Sequence, residues 1–340
     1  MAAVRPSEKG RILGNWFLED PLGEGGFGAV YAAHHLAIPE RRAAVKLLHP
    51  ELARQPELRR RFLNEANAAS RADHEHIVQI FDGGETAEGL CFVAMELLRG
   101  SSLTRALEPG PMVPKRVVHI GNQVASALAA AHRVGIVHRD LKPSNIFLCR
   151  APRVDSEGRL EKGRVRLLDF GLAELRATAA MQPGSEGRAP ERGKLVRSIA
   201  VDADATPGIE DAVASSRKDD REPMESSRPS QRTGSLVGTP YYMAPEIWDG
   251  EPSTPRSDLY SLGALLFELA AGQPPHAVPE IELLRVAVTT TEAAPVRSLR
   301  LRLDPALAAW IDRCVRRDPR QRPSSASEMA AALAALRDKA

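Results

Sequence analysis

The eight-residue segment HRDLKPSN at positions 138–145 constrains the fold more than any other part of the sequence. Pro143 limits helix continuation and biases the backbone before it towards extended geometry, so we expect a turn after the alanine-rich helical run that precedes it. Three side chains, those of Asp140, Lys142 and Asn145, therefore leave one short turn together. This set of groups suits the transfer of a highly charged group. The carboxylate can accept a hydroxyl proton, the cation can meet negative charge and the amide oxygen can bind a metal ion.

A second motif follows at the end of the next strand-like run. The tripeptide DFG at positions 169–171 begins 24 positions after Asn145. Together the two motifs resemble the catalytic loop and the metal-binding turn of protein kinases. The resemblance implies that Asp140 orients and deprotonates a substrate hydroxyl and that Lys142 offsets charge on the γ-phosphate. It also implies that Asn145 and Asp169 hold Mg²⁺ ions.

The composition is that of an ordinary soluble globular protein, with 43% apolar and 26% charged residues in 340. A net charge of +2, with basic residues scattered along the chain, gives no sign of nucleic-acid binding. The longest apolar run, at 262–271, is about half the length needed to span a bilayer. Residues 1–10 lack the apolar core of a signal peptide. We therefore expect a cytoplasmic chain without a membrane span.

Cysteines and paired histidines give no sign of a disulfide or a metal site. Cys91, Cys149 and Cys314 are far apart and each has apolar neighbours, which favours small buried side chains in a reducing compartment. His74 and His76 lie two positions apart with no further ligand nearby, a poor arrangement for a metal. We expect these histidines in a loop packed between a helix and a strand.

A glycine-rich stretch, LGEGGFGAV at 22–30, lies between two strand-like runs. The pattern of Gly23, Gly25 and Gly28 also occurs in dinucleotide-binding folds, which would open a helix after the last glycine. Here the following residues are β-prone and lead to a third strand that ends in Lys46. That order resembles the hairpin that covers the nucleotide phosphates in protein kinases, where glycine lets backbone amides approach.

Lys46 has largely apolar neighbours, so its ammonium group needs an anion, although a solvated position is the commoner fate of a strand lysine. The amphipathic helix predicted over residues 58–72 offers Glu65 among its inward-facing positions, whereas Glu57 lies on its surface. We expect Glu65 to pair with Lys46 and so to hold it against the α- and β-phosphates.

Two more strands are predicted at 77–81 and 90–97. By the resemblance, Met95 ends the second strand as the gatekeeper residue. The backbone of the segment that includes Glu96 and Leu98 would then hydrogen-bond adenine. The resemblance further implies that four apolar side chains enclose the adenine ring: Leu22, Val30, Ala44 and Phe147.

The second half of the sequence is mainly helical. A helix is predicted near 115–133, with Gly135 as its C-terminal cap. The most apolar helix is predicted at 258–271. Three further helices are predicted near 279–289, 305–317 and 324–338.

The stretch between DFG and the Ala-Pro-Glu motif at 244–246 departs from the family pattern because 72 residues separate Gly171 from Ala244. Residues 176–232 contain no aromatic side chain and ten basic and ten acidic ones. Such a stretch cannot bury enough apolar surface to offset its ordering entropy. We interpret it as a disordered insertion, either a tolerated surface loop or a tether for docking or autophosphorylation.

The segment TGSLVGTPYYMAPE at 233–246 resembles the end of a kinase activation segment. The resemblance implies phosphorylation at Thr233 or Ser235, with Arg139 as the cation that binds the phosphate. It also implies that Thr239 hydrogen-bonds the catalytic loop, as in Ser/Thr kinases.

Two buried contacts are expected behind this segment. Glu246 is expected to pair with Arg322, which would lock the activation segment to the helical lobe. Asp258 lies near the start of the apolar helix, and one interpretation of a carboxylate there is a helix cap. The resemblance instead implies that it braces the backbone of the catalytic loop.

The resemblance covers residues 12–338 and implies an α+β, bilobal protein-kinase-like fold. A tail at 1–11 would precede a small β-rich N-lobe with one main helix at 12–98, and a larger α-helical C-lobe would occupy 99–340. The implied protein is a Ser/Thr kinase that uses ATP with Mg²⁺, or Mn²⁺ in its place, on protein substrates, and homodimerisation for autophosphorylation stays open.

Two alternatives remain. A catalytically inactive pseudokinase that acts as a binding scaffold would lack at least one of Lys46, Asp140, Asn145 and Asp169, and all four are present. A small-molecule phosphotransferase would lack the Gly-Thr-Pro-Tyr and Ala-Pro-Glu motifs.

Overall fold

The computed structural model describes residues 7–150, 164–169 and 240–337. The sequence predictions for the insertion at 176–232, and for the phosphorylation candidates Thr233 and Ser235, lie outside these ranges, as does the prediction for Thr239.

The N-terminal part of the described chain is built on a six-stranded antiparallel sheet. Its strands are β1 (Ile12–Leu13), β2 (Trp16–Glu24), β3 (Gly28–His35), β4 (Arg42–Leu48), β5 (Ile80–Glu85) and β6 (Cys91–Glu96), in the spatial order β1-β2-β3-β4-β6-β5. Because side chains alternate along a strand, β4 serves two apolar clusters. Ala44 and Leu48 belong to the cluster that includes Leu58 and Phe62, on what we call the inner face of the sheet. Val45 and Leu47 belong to the cluster on the opposite, outer face. This alternation places Lys46 on the inner face.

Two helices follow β4, a single turn α1 (Pro50–Ala53) and the longer α2 (Pro56–Arg71). Proline at the start of each helix is favourable because its missing N–H needs no partner there. Leu58 and Phe62 of α2 are buried against the inner face of the sheet. This is the main N-lobe helix that the sequence predicts.

The strand predicted at 77–81 starts later, at Ile80. The reason is a competing contact with β9 (Val165–Leu167), which pairs with β8 (Ile146–Cys149). Ile77 forms a parallel bridge with Leu167, and the N–H of Val78 donates to the carbonyl of Leu167 at 3.0 Å. The backbone at 77–78 therefore links the N-lobe to the strand before Asp169 rather than extending β5.

The C-lobe is helical, with a small sheet of β7 (Gly100–Ser102), β8 and β9 at its upper edge. Its helices are α3 (Leu103–Leu107), α4 (Pro114–Arg133), α5 (Pro245–Trp248), α6 (Pro255–Ala271), α7 (Ile281–Thr290), α8 (Val296–Leu299), α9 (Pro305–Cys314) and α10 (Ala326–Arg337). The long helices agree with the predicted ones. The short helices α3, α5 and α8 escape prediction because helices of this length depend on tertiary packing for stability.

Helix α6 is the centre of the C-lobe core. It begins with a capping box formed by Thr254 and Ser257, and it ends at Gly272, whose φ of 83° suits glycine. At Gly263, an added Cβ would lie 2.4 Å from Cβ of Cys314, so the glycine allows α6 and α9 to approach closely. No helix in the described ranges combines the length and the apolar character needed to cross a bilayer.

The three cysteines are free thiols, as predicted. Cys91 and Cys314 are buried, whereas Cys149 at the end of β8 is only half-buried. Burial raises the pKa of the Cys149 thiol to about 11 and that of Cys314 to about 12. Both thiols therefore stay protonated and unreactive at neutral pH.

Candidate active site

The catalytic loop is fastened to helix α6 through one carboxylate. Oδ2 of Asp258 accepts a hydrogen bond from the backbone N–H of His138 at 2.8 Å, and Oδ1 accepts one from the N–H of Arg139 at 2.9 Å. Arg139 has a φ of 68°, a conformation that an L-residue holds only when its surroundings enforce it. Asp258 is 1% exposed. The expected bracing role of Asp258 is confirmed.

The ring of His138 ties the same loop to the strand that precedes Asp169. Its Nε2 donates to the carbonyl oxygen of Leu168 at 3.0 Å, so Nε2 carries the ring proton. Burial lowers the pKa of His138, against the opposing charges of Asp258 and Asp140, so the ring is neutral. Nδ1 is then an acceptor, and the N–H of Asp140 donates to it at 3.3 Å.

The two oxygens of the Asp140 carboxylate differ in their contacts among the described residues. Nζ of Lys142 donates to its Oδ2 at 2.6 Å, and Nδ2 of Asn145 donates to the same oxygen at 3.1 Å. Asp140 is 6% exposed, and its Oδ1 has no hydrogen-bond partner among the described residues. One oxygen is therefore fixed by two neighbours, and the other is left to accept a proton.

The orientation of the Asn145 amide follows from its partners. Nδ2 also donates to the backbone carbonyl of Asp140 at 2.8 Å, and neither a carbonyl nor a carboxylate oxygen can donate. The NH₂ group must therefore face Asp140, which turns the amide oxygen away from it. The backbone carbonyl of Asn145 accepts from the N–H of Leu168 at 2.8 Å, which holds the loop beside Asp169.

The strand lysine meets the second carboxylate of the site. Nζ of Lys46 donates to Oδ1 of Asp169 at 2.6 Å, across the boundary between the lobes. The prediction that Lys46 pairs with Glu65 is wrong in this structure. Asp169 has a φ of 50°, and this turn of the backbone brings its carboxylate within reach of the ammonium group. Glu65 stays half-buried on α2, on the helix face that carries Phe62.

The glycine turn is the predicted hairpin between β2 and β3. The N–H of Gly25 closes it by donating to the carbonyl of Gly28 at 2.9 Å, and Gly23 pairs with Val30. A Cβ added at Gly28 would lie 2.0 Å from the carbonyl oxygen of Leu47, so this glycine is required by packing against β4 as well.

The four residues predicted to enclose adenine share one apolar cluster, between the sheet and β8, with two more predicted site residues, the gatekeeper Met95 and Leu98 of the hinge. Four of these six residues are at most 7% exposed: Ala44, Met95, Leu98 and Phe147. Leu22 and Val30 are partly buried and pack against them. These side chains come from five segments far apart in the sequence, and the structure brings them together as the resemblance implies.

A contact beside this cluster was not expected from the sequence. The guanidinium of Arg166 in β9 donates to Oε1 of Glu96 at 3.0 Å, and both side chains are largely buried. The backbone N–H of Glu96 donates to the carbonyl of Gln79 at 2.9 Å. The predicted hinge is thereby joined to the strand that leads to Asp169.

The pair of Glu246 and Arg322 is present as predicted. Two parallel hydrogen bonds of 2.7 Å join the guanidinium to the two carboxylate oxygens, and Ser257 donates to Oε1 of Glu246 at 2.8 Å. Burial raises the pKa of Glu246, but the hydrogen bond and charge of Arg322 outweigh this, and the net pKa is below its ordinary value. The remaining N–H groups of Arg322 donate to three backbone carbonyls, of Arg256, Arg316 and Arg317.

His74 and His76 lie in the packed loop that the sequence predicts. Nε2 of His74 is 3.0 Å from Oγ of Ser126 in α4, and Nδ1 of His76 is 3.2 Å from the carbonyl oxygen of Val165 in β9. Burial lowers the pKa of both rings.

A β-rich lobe and a helical lobe thus meet at a carboxylate held by a lysine and an asparagine, and at a second carboxylate bonded to a strand lysine. The fold and the grouping of these side chains are those of the protein kinase class. The family model described as the protein kinase domain matches residues 16–191 and 223–333. The chain therefore belongs to the protein kinase domain family.

Several bacterial proteins are similar along nearly the whole chain. The Ser/Thr protein kinase pkn2 of Myxococcus xanthus is 33% identical over 93% of this chain and 31% of its own length. PknJ of Mycobacterium tuberculosis is 32% identical over 96% of this chain and 46% of its own length. The chain thus spans less than half of the length of these two relatives.

Among solved structures, a double mutant of the PknI kinase domain of Mycobacterium tuberculosis has a TM-score of 0.63 at 25% identity. It covers 98% of this chain and 100% of its own. Another structure of the PknI kinase domain gives a TM-score of 0.64 at 24% identity, with the same coverage, and supports the fold alone. The predicted bilobal kinase fold is confirmed.

Proposed function

We propose that this chain is a Ser/Thr protein kinase that transfers the γ-phosphoryl group of ATP, bound with Mg²⁺, to Ser or Thr hydroxyl groups of proteins. The observation that carries the proposal is the convergence of Lys46, Asp169 and the loop of Asp140 at the junction of the lobes. The similarity to bacterial proteins named Ser/Thr protein kinases supports it.

The donor groups present suit a magnesium nucleotide. Mg²⁺ prefers oxygen ligands, and the site offers the carboxylate of Asp169 and the amide oxygen of Asn145, which is turned away from Asp140. The apolar cluster around Ala44 and Phe147 suits an adenine ring. When bound, Mg²⁺ would neutralise charge on the phosphates and Mn²⁺ would serve as an alternative ion.

Each catalytic side chain has a role that follows from its contacts. Oδ1 of Asp140 would accept the proton of the substrate hydroxyl, since this oxygen is buried and is not hydrogen-bonded among the described residues. Lys142 and Asn145 hold Oδ2 and so fix the direction in which Oδ1 points. Lys142 would also offset negative charge on the transferred group. Lys46 would bind the nucleotide phosphates.

The regulatory proposal concerns residues outside the described ranges. Phosphate at Thr233 or Ser235 would bind Arg139, and Thr239 would contact the catalytic loop. The proposed lobes, 12–98 and 99–340, and the insertion near 176–232 fit the family match, which is interrupted at 192–222. Peptide mapping after incubation with Mg-ATP should find phosphate at Thr233 or Ser235, and phosphate found only elsewhere would contradict this role.

We also propose where the chain acts and what it contacts. From the proposed activity we infer protein substrates, a cytoplasmic location and homodimerisation for autophosphorylation. From the charge pattern we infer that the chain does not bind nucleic acid. The alternative hypothesis is a pseudokinase that acts as a scaffold. No specific contact supports it, because the catalytic residues are present and lie close together.

Transfer of label from γ-labelled ATP tests the proposal. The purified chain is incubated with Mg²⁺ and a generic protein substrate, beside Asp140→Asn and the control Asp318→Asn, whose carboxylate pairs with the exposed Arg320. We expect Asp140→Asn to lower transfer by at least about 100-fold, because the proton acceptor is lost, and Asp318→Asn to change it little. No transfer by the unmodified chain, even after prior phosphorylation, would favour the scaffold.

A further inference from the structure

His49 lies directly after β4 and makes two hydrogen bonds to the glycine turn, while its Nε2 also lies 3.9 Å from Oε1 of Glu24. Its backbone N–H donates to the carbonyl of Phe27 at 2.9 Å, and its Nε2 lies 2.8 Å from the carbonyl oxygen of Gly25. Because a carbonyl only accepts, Nε2 carries a proton and donates it. His49 is 7% exposed, so the ring belongs to the packed N-lobe.

These two contacts set the direction of amide groups in the turn. A trans peptide group is planar, and its C=O and N–H point in opposite directions. The described residues contain no cis peptide bond. With the carbonyl of Gly25 directed at His49, the N–H of Gly26 points the other way. The same holds for the carbonyl of Phe27 and the N–H of Gly28.

The hydrogen bond from the N–H of Gly25 to the carbonyl of Gly28 closes the turn, and Gly26 lies at its tip between them. A Cβ added at Gly26 would meet no atom of the described residues within 4 Å, so none of them packs on this position. Glycine also gives the backbone more conformations than any other residue. An unrestrained tip would lose conformational entropy when its amides meet an anion, and restraint in advance removes that cost.

We propose that His49 is a positioning residue that holds the amides of the glycine turn ready for the nucleotide phosphates. This rests on the proposed function, since it requires ATP to bind beneath the turn. The role is specific to the phosphate end of the nucleotide.

Nucleotide binding without turnover separates this role from general stability. ATP with Mg²⁺ and, separately, adenosine are titrated into the unmodified chain, His49→Ala and His49→Gln by calorimetry. His34→Ala is the matched control, since His34 lies in β3 and bonds Glu19 instead of the turn. We expect His49→Ala to weaken ATP binding by about three- to tenfold, the loss of one hydrogen bond, and to leave adenosine binding unchanged. Glutamine at position 49, which keeps a donor, should restore most of the affinity, and His34→Ala should change neither ligand.

Equal ATP affinity in His49→Ala and the unmodified chain would overturn the proposal. An equal loss for adenosine would do so too, because it would indicate general damage to the N-lobe. If His49→Ala does not fold, His49→Asn replaces it, since its shorter amide removes the donor from the Nε2 position. If the unmodified chain binds neither adenosine nor ATP, the proposed function itself fails.

Discussion

The ammonium group of Lys46 lies 2.6 Å from Oδ1 of Asp169, although 123 positions separate the two residues. One belongs to the third long strand of the N-lobe sheet and the other follows β9 at the edge of the C-lobe. Their side chains are 12% and 33% exposed, so the pair lies at a partly open junction. The proposed magnesium nucleotide would need such a cation and such an anion at this junction.

Replacing Lys46 by methionine should nearly abolish phosphoryl transfer. The change keeps the length of the apolar stem and removes the charge that would bind the phosphates, so we expect a loss of about 100-fold or more. Lys9→Met is the control, because Lys9 also pairs with an aspartate, Asp20, but at an exposed site. Transfer rates and circular dichroism of both variants provide the measurement, and full activity in Lys46→Met would contradict the role of this lysine.

The buried pair of Glu246 and Arg322 should contribute strongly to stability. Arg322→Ala leaves a buried carboxylate uncompensated, and we expect a loss of about 3–5 kcal/mol in the free energy of unfolding by urea. Arg320→Ala, which breaks only an exposed contact with Asp318 two positions away, should leave the unfolding midpoint unchanged. Similar midpoints for Arg322→Ala and the unmodified chain would contradict the account.

The same pair predicts a pH dependence. The folded pKa of Glu246 lies below its ordinary value of 4.5, so its stabilisation is present above that value and is lost as the pH falls through the folded pKa. The stability difference between the unmodified chain and Glu246→Gln should therefore narrow as the pH falls below 4.5. A difference that stays constant or widens in acid would show that the carboxylate charge does not contribute.

Asp258→Asn should loosen the catalytic loop. The two oxygens of Asp258 accept separate backbone N–H groups, and an amide offers only one oxygen. We expect a cost of about 1–3 kcal/mol in unfolding free energy together with reduced transfer. Asp304→Asn is the matched control, since both N–H groups at that helix start donate to Oδ1 alone. If Asp258→Asn and Asp304→Asn lost equal amounts of unfolding free energy and of transfer, the contact through both oxygens of Asp258 would have no special role.

The glycine turn gives a test by paired substitutions. Gly28→Ala would place a Cβ 2.0 Å from the carbonyl oxygen of Leu47, and we expect a loss of about 1–3 kcal/mol in stability. At Gly26 the same substitution meets open space and should change stability by less than about 0.5 kcal/mol. Thermal unfolding of the two variants measures the contrast, and equal midpoints would mean that β3 and β4 are not so closely packed.

Much of the site could be predicted because its residues lie in short motifs. Asp140, Lys142 and Asn145 share one turn, so their grouping follows from the chain itself. The bracing by Asp258 and the pair of Glu246 and Arg322 span longer distances, and they were accessible only through the resemblance to protein kinases.

The partner of Lys46 was not predictable in the same way. Helical periodicity shows that Glu65 faces inward, but it does not show which carboxylate lies nearest to the ammonium group. The contacts of His49 with Gly25 and of Arg166 with Glu96 were missed for a related reason. They depend on how strands and turns pack, and no local pattern marks them.

Labelling of Lys46 tests the central claim most directly. An acyl phosphate of ATP transfers its acyl group to a lysine amine that lies beside the bound phosphates and releases ATP. We predict that peptide mapping finds the acyl group on Lys46, that excess ATP with Mg²⁺ suppresses it, and that Asp169→Asn reduces this protection. Acylation spread over exposed lysines such as Lys9, with Lys46 unmodified or insensitive to ATP, would contradict a nucleotide site between the lobes.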